Sequence, residues 1–565
     1  MGVTICLIGL LAAAVMCFLL TTTGLTRRMG LFAALVAGLA TVGVALDPVV
    51  LAPTDPLLTI GSIPLTLPSA VALSERVIVV AVLLSGTVGL LALALTAPPS
   101  TIGFGALFGW LLLSLAAALL SWIIPPLSFL TPLSWVLAVV SVHGSLLAAG
   151  TQHEPDRLPG YLIAGAVAVV AVSSLIATTA LQSPDTLPAP VIVVIAIIGA
   201  LTLAGAPPFA GTRLDAVGAP PLIGTLTVGV ILPSIGLGFI ARILPQLPPL
   251  PDLASAVLAA TGTLGALGAA FGALRSTSGR ELVFWQGAMQ AGLVVCASAI
   301  NDPLAGLAAS ALLLVIPLHA VTGGLVVAAI ERHQGSDTLD GTPAQVRLPL
   351  TGVLWIVITA TATGFPVSWS FWGWRWLSEA LVTRLVWAIP PLIAAAVIGL
   401  AAGLPLLFRC WYGRSGVSDR GHEQILGGLV LAPLVLAGIV PWLAWPLWLS
   451  WSPFAPPILP AEPIAWPFVG LALAIGIGGW FLARHAVSSP SLNTGEAVIP
   501  TWQGMGEILG WPVEVANART ILTLIGRGLD RVATLLHTVM IIFEQRYYLF
   551  GVIVALIAIL VLMAQ

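Results

Sequence analysis

From Val3 onward the sequence is a series of apolar runs separated by short segments rich in Pro, Gly, Ser or Asp. Most runs reach about 20 residues, the length a helix needs to cross the hydrocarbon core of a bilayer. Inside hydrocarbon every backbone N–H and C=O must be bonded internally, and repeated long apolar runs satisfy that demand as a bundle of spanning helices. Hydrophobic residues fill 59% of the 565 positions, charged residues only 7%, and mean hydropathy is +1.09, which places the chain outside the range of soluble domains. The expected fold class is an all-α polytopic membrane protein, and the length admits roughly fourteen to sixteen transmembrane helices.

In chain order, the first runs lie near 3–25 and 31–45, and a Pro-rich segment follows. The first run is too long, and lacks the basic start, for a cleaved signal peptide. Helices are then predicted near 77–97, 102–123, 132–150, 160–181, 189–205, 221–243, 251–274, 282–300 and 303–330. After the polar loop Glu331 to Arg347, the segment 349–383 is interrupted at Gly364-Phe365-Pro366, and further runs lie near 385–408, 425–447, 464–483 and 547–564. Between the last two, a polar linker from His485 to Thr501 leads to Ile521, Leu522, Leu524, Ile525, Leu529 and Val532, with Arg519, Arg527 and Arg531 interspersed. Apolar residues three and four apart beside arginines describe an amphipathic helix along the membrane face. It serves either as a connector packed on its own protein or as a brace to a neighbouring subunit.

The net charge of −2 carries little information, because so few charges exist and none form a run that would suit nucleic acid. Their placement says more. All twenty basic residues are arginine, and alternating the predicted spans puts sixteen of them on the side of Arg27 and Arg28, with Arg76, Arg242 and Arg384 opposite. Basic residues gather in cytoplasmic loops, so both termini are expected on the non-cytoplasmic side of a membrane, most simply the bacterial inner membrane. Trp442, Trp445, Trp448, Trp451 and Trp466 mark an outer interfacial belt. Cys6, Cys17, Cys296 and Cys410 are far apart and make no C-x-x-C pair, so they read as buried small hydrophobes.

The stretch Leu201 to Ile243 holds two helical runs, one broken at Gly205-Ala206-Pro207-Pro208 and the other carrying Pro233. Breaks in membrane helices free backbone groups that must face protein or a wet cavity, and they point to transport sites. Between Leu201 and Thr212, however, there is no acid or base.

These features together resemble the antiporter-like membrane subunits of respiratory complex I (NADH-quinone oxidoreductase) and of related membrane-bound hydrogenase and cation-antiporter complexes. Leu203-Ala204-Gly205-Ala206-Pro207-Pro208-Phe209, Leu214-Asp215-Ala216 and Ala219-Pro220-Pro221-Leu222 resemble the family's K-S-A-Q-x-P-F-H-x-W-L-P-D-A and P-T-P-V-S-A-L strings. Leu232-Pro233-Ser234-Ile235-Gly236 resembles M-V-K-A-G-V-Y. Phe284-Trp285-Gln286-Gly287-Ala288-Met289-Gln290-Ala291-Gly292 looks like L-A-Y-S-S-x-x-Q-x-G, and His319-Ala320-Val321-Thr322-Gly323-Gly324-Leu325 like H-A-x-x-K-A-L-L-F. Gly364 to Trp374 looks like the second break, G-x-P-P-x-S-G-F-x-x-K, and Phe543 to Leu549 like the start of the final helix. No single string is highly specific, but their order spans nearly the whole chain.

The resemblance implies two inverted five-helix repeats, at 102–243 and 251–411, each with a broken helix, Pro207 and Pro366 holding corresponding positions. The alternative is two unrelated proline kinks. Around the repeats lie N-terminal helices (1–97), C-terminal helices (425–484), the linker and amphipathic helix (485–546) and a last transmembrane helix (547–565). The resemblance also implies a glutamate and several lysines along a proton path. The matching positions here are Ala138, Leu203, Ser234, Gly323 and Trp374, none titratable, and lysine is absent from the entire chain. Arginine does not substitute simply, because it does not release its proton.

The remaining candidates for a proton path are His319, His143, Arg375 and Glu379. His319 keeps the family's histidine and is either a proton carrier or a hydrogen-bonded core residue. The same choice holds for His143, one turn past Ala138. Arg375 and Glu379, four apart, are expected to pair, as a coupling element or as a neutralised lock. Arg242 is expected to snorkel at a helix end. The chain shows no Cys cluster, nucleotide loop or metal set, so no cofactor is expected on it.

The expected function is a membrane-arm subunit of a complex-I-type, proton-translocating assembly with a degenerate proton path, structural or weakly conducting. Its expected partners are other membrane-arm subunits and the lipid bilayer, with quinone reached only through those subunits. Alternatives are a subunit of a membrane-bound hydrogenase or cation/proton antiporter complex, and a stand-alone secondary transporter. The last would want polar groups at the breaks, where Ala206, Phe209, Val367 and Trp369 stand instead.

Overall fold

A computed structural model describes residues 2–21, 26–46, 58–60, 63–65, 73–96, 104–150, 160–181, 190–217, 219–246, 251–335, 337–339, 348–364, 368–412 and 420–436. The sequence expectations for Pro366, the tryptophan belt, the linker and amphipathic helix, and the last two spans lie outside these residues.

The described chain is almost entirely helical. It opens with α1 (Gly2–Leu19) and α2 (Thr26–Leu46). A short antiparallel hairpin, β1 (Leu58–Ile60) with β2 (Ile63–Leu65), follows in the Pro-rich segment, where the sequence suggested no strand. Next come α3 (Leu73–Thr96), α4 (Phe104–Ile123), α5 (Thr131–Ala148), α6 (Gly160–Leu181) and α7 (Pro190–Ala204). Two single turns, α8 (Leu214–Val217) and α9 (Pro221–Gly224), lead through a π-helical stretch, Thr225–Ile231, into α10 (Leu232–Ile243). The second half has α11 (Asp252–Arg275), α12 (Gly279–Ser298), α13 (Pro303–Gln334), α14 (Pro349–Ala362), α15 (Trp369–Arg384), α16 (Ile389–Tyr412) and α17 (Arg420–Leu434). Among the described residues ten helices are long and apolar enough to cross a membrane, and the chain is an integral membrane protein.

Local chemistry sets the helix ends. Ser278 caps α12, accepting a hydrogen bond from Glu281 N, while the Glu281 carboxylate reaches back to Thr277 N at 2.9 Å in a capping-box arrangement. Asp302 caps α13 through Leu304 N at 2.8 Å, and Gly335, with φ 73°, closes its other end. Sequence neighbours pack in pairs, α2 on α3, α4 on α5, α6 on α7 and α11 on α12. The long α13 touches α3, α10, α12, α14, α15, α17 and the π-helical stretch, and is buried along nearly its whole length. Everything placed on α13 is therefore held at the centre of the bundle.

Candidate functional site

The first break lies where expected, but its backbone is self-satisfied. α7 ends in a Schellman turn: Ala206 N donates to Leu201 O and Gly205 N to Thr202 O, with Gly205 at φ 53°. Pro207 and Pro208 then prevent continuation, since neither has an N–H to donate. Pro233, by contrast, does not break its helix. The chain runs on from Pro221 to Ile243, and the π-helical stretch just before Pro233 widens the turn so that Leu232 N reaches Thr227 O. A proline ring clashes with the carbonyl four residues earlier, and the wider turn relieves that clash.

The second break falls between α14 and α15. Gly364 adopts φ 82°, and a Cβ there would lie 2.4 Å from the Trp374 ring, so only glycine fits. Ser368 caps α15 by accepting from Phe371 N, and Ser370 Oγ donates to Thr361 O on the other side of the break. One turn into α15, Arg375 Nε donates to Glu379 Oε1 at 3.1 Å, and the guanidinium lies 5.2 Å from the Trp372 ring centroid. The expected pair is thus formed, with Arg375 itself only 3% exposed.

His319 sits on α13 two residues beyond Pro317, facing the backbone of Val283 on α12 and Ile358 on α14. It is 2% exposed, and neither ring nitrogen has a hydrogen-bond partner of good geometry. Around it are other buried polar groups that the sequence reading quoted in a motif but did not single out. Gln286 Nε2 donates to Gly399 O of α16 at 3.4 Å while its oxygen is unpartnered, and both ends of the Gln290 amide are unpartnered. Thr359, next to Ile358, also has a free hydroxyl, and it packs against Gly403, one turn from Gly399. The available signal was two glutamines four apart in an otherwise apolar helix, which shares one face.

His143 Nδ1 is bonded to the Tyr161 hydroxyl at 2.8 Å, which ties α5 to α6. Arg242 does not snorkel outward. Its Nε donates to Glu75 Oε1 at 2.9 Å, its terminal nitrogens donate to Ser121 O and Ile124 O at 3.0 Å each, and Trp122 lies under it at 5.5 Å. It closes the carboxyl end of α4, where the unpaired carbonyls concentrate negative potential. Arg280, which the sequence places only as one of the sixteen arginines on the Arg27 side, has a specific role. Arg280 donates to Ala219 O at 3.1 Å, beside the first break, and pairs with Glu331 and, at 3.3 Å, with Asp337.

The five family positions are all packed. Ala138 and Leu203 are fully enclosed, and Ser234 returns its hydroxyl to Ile231 O of its own helix at 2.7 Å. A Cβ at Gly323 would lie 2.8 Å from a Val283 methyl, and Trp374 fills the second break. None opens onto space that a long cationic side chain would need.

No protein-family model and no curated protein matches the sequence. Solved structures do match. A chain of the Mrp complex from Dietzia sp. DQ12-45-1b is 18% identical, with TM-score 0.70 over 95% of this chain and 63% of that one. A chain of the membrane-bound sulfane sulfur reductase, an archaeal respiratory membrane complex, is 16% identical, with TM-score 0.60 over 85% of this chain and 99% of that one. This protein has their fold. The all-α polytopic membrane fold expected from the sequence is the one observed. The chain spans 63% of the length of the Mrp chain it matches.

Proposed function

We propose that the protein is an antiporter-like subunit in the membrane arm of a multisubunit complex of the complex-I type, and that its titratable track has been replaced by packed apolar side chains. The observation that carries this reading is the enclosure of Ala138, Leu203, Ser234, Gly323 and Trp374 inside a fold shared with subunit-bearing membrane complexes. A lysine-free path has no carrier at these points, and the bundle then serves to set the spacing of active neighbours. Repeats at 102–243 and 251–411, both termini on the non-cytoplasmic side of a bacterial inner membrane, and redox cofactors and quinone confined to partner subunits belong to this reading.

A second reading keeps conduction, and one observation favours it. His319, Gln286, Gln290 and Thr359 leave buried polar atoms unpaired by protein, and each such atom costs about 1–3 kcal/mol unless something bonds to it. Bridging water would satisfy them and carry protons past His319. Vesicles bearing the intact complex separate the two. Proton uptake per turnover unchanged in His319→Ala and Glu379→Gln supports the scaffold; a reduced ratio at equal assembly supports conduction and overturns the first reading. Purification of a stable solitary chain with transport activity would refute both.

A further inference from the structure

Arg76 lies in the first turn of α3 and is 8% exposed. Its Nε is enclosed without a hydrogen-bond partner, and among the described residues no carboxylate pairs with it. Other arginines drawn into the bundle do have one. Arg242 has Glu75, Arg280 has Glu331 and Asp337, and Arg375 has Glu379.

The acids of the surrounding helices are already engaged. α3 packs against α2, α4, α9, α13, α17 and the π-helical stretch. Of these, α2, α4, α9 and the π-helical stretch contain no acid. Glu75 of α3 itself is bound to Arg242, Glu331 at the far end of α13 to Arg280, and Glu423 of α17 accepts from Thr351 N at 3.1 Å. Asp302, ahead of α13, caps that helix through Leu304 N. A charge left buried and unpaired is expensive, so the counter-anion has to come from outside these residues.

Two features say what kind of anion fits. A helical side chain leans toward the amino terminus of its helix, so the guanidinium shares the space ahead of α3 with first-turn amides that have no intrahelical partner. That end of a helix favours anions, phosphate included, and a guanidinium meets a phosphate with two parallel N–H donors. The membrane-spanning part of α3 begins at Glu75, which puts Arg76 at the depth where hydrocarbon gives way to lipid headgroups.

We propose that Arg76 and the amino end of α3 form a binding site for a phosphate group, supplied by the headgroup of an anionic lipid. The inference rests on Arg76 and its surroundings alone, so its failure leaves the proposed function standing.

The test adds lipids of equal acyl chains to the purified, delipidated full-length chain and counts bound lipid by native mass spectrometry. The wild type should hold phosphatidylglycerol more tightly than phosphatidylcholine, whose own ammonium competes with Arg76 for the phosphate. Arg76→Met should weaken phosphatidylglycerol binding roughly tenfold, the loss expected for a charge-assisted hydrogen bond. Arg76→Lys, a point charge in place of a fork, should fall between the two. Arg384→Met, which removes an exposed arginine of α15, should change nothing. Displacement of the lipid by excess inorganic phosphate would also place a phosphate at Arg76, with solution as its source. Equal retention of phosphatidylglycerol by the wild type and Arg76→Met overturns the proposal, and the counter-charge is then a carboxylate, from this chain outside the described residues or from a neighbouring subunit. Should Arg76→Met fail to fold, the wild type decides alone, because no preference for phosphatidylglycerol over phosphatidylcholine equally overturns it.

Discussion

The Arg375–Glu379 pair offers the sharpest energetic test. Arg375 is 3% exposed, its partner carboxylate lies at 3.1 Å, and Trp372 supplies a ring face at 5.2 Å. Glu379→Gln keeps the shape and removes the counter-charge. Breaking a buried ion pair by removing one partner costs about 3–5 kcal/mol. The Trp372 ring retains about 1 kcal/mol of that through its attraction for the cation. The glutamine oxygen still accepts one hydrogen bond, worth about 1 kcal/mol. The expected net loss is therefore about 2 kcal/mol, a large share of a typical folding free energy of about 5–15 kcal/mol. Removing both charges together, in Arg375→Met with Glu379→Leu, also removes the desolvation of both ions. The double variant is then expected within about 1 kcal/mol of the wild type. Unfolding of the purified chain, followed at one fixed detergent concentration, measures both. A single variant as stable as the wild type, or a double variant less stable than the single, would refute the claim that Glu379 is what neutralises Arg375.

Three further outcomes follow from the packing. Gly287→Ala should raise stability by about 1 kcal/mol through helix propensity, since its Cβ meets nothing, whereas Gly323→Ala should lose about 1–2 kcal/mol, because a Cβ 2.8 Å from Val283 overpacks; equal melting shifts would contradict this. Tyr161→Phe should cost about 1 kcal/mol by removing the hydrogen bond to His143 Nδ1 yet leave proton uptake by the assembled complex unchanged, and a fall in uptake would return His143 to the proton path. Arg242→Lys should destabilise nearly as much as Arg242→Met, because an ammonium cannot span Glu75, Ser121 O and Ile124 O together; full rescue by lysine in the same unfolding assay would refute the clamp.

Helix positions were legible because bilayer length and hydropathy act on each segment separately. The runs predicted at 77–97, 160–181 and 303–330 are observed as Leu73–Thr96, Gly160–Leu181 and Pro303–Gln334. Features that depend on contacts between distant segments were not legible. Arg280 reads in sequence as one more loop arginine, and only the fold brings Ala219, Glu331 and Asp337 to it. The partner of Gln286 is legible only in the fold, where Gly399 of α16 presents its carbonyl to it. Arg242 looked like an interfacial arginine because its position at a helix end was visible, whereas the carbonyls at the end of α4 were not. The helix predicted at 221–243 is observed with Pro233 inside it, but the π-helical detour that retains hydrogen bonding around the ring was not legible, because it depends on the local backbone path rather than on residue type.

The two breaks show how an interrupted membrane helix can be held together by groups of its own chain. A broken membrane helix is costly when its freed carbonyls and amides face hydrocarbon, which makes an ion or a water path the usual partner. Here the described residues flanking each break bond to one another. At the first, the Schellman turn uses Leu201 O and Thr202 O, and Arg280 binds Ala219 O on the far side of the loop. At the second, Ser368 caps α15 by accepting from Phe371 N, and Ser370 bonds across the gap to Thr361 O. Leu203, Ser234 and Gly323, where the resemblance implies titratable residues, are buried in this arrangement. Among the described residues, buried side-chain atoms without a hydrogen-bond partner include the His319 ring nitrogens, the Gln290 amide and the Thr359 hydroxyl, and also Trp374 Nε1 at the second break. On the conducting reading, the His319 ring nitrogens and the Gln290 amide are the groups that water would bridge, so Gln290→Leu should lower proton uptake by the assembled complex as His319→Ala does, whereas unchanged uptake in both supports the scaffold.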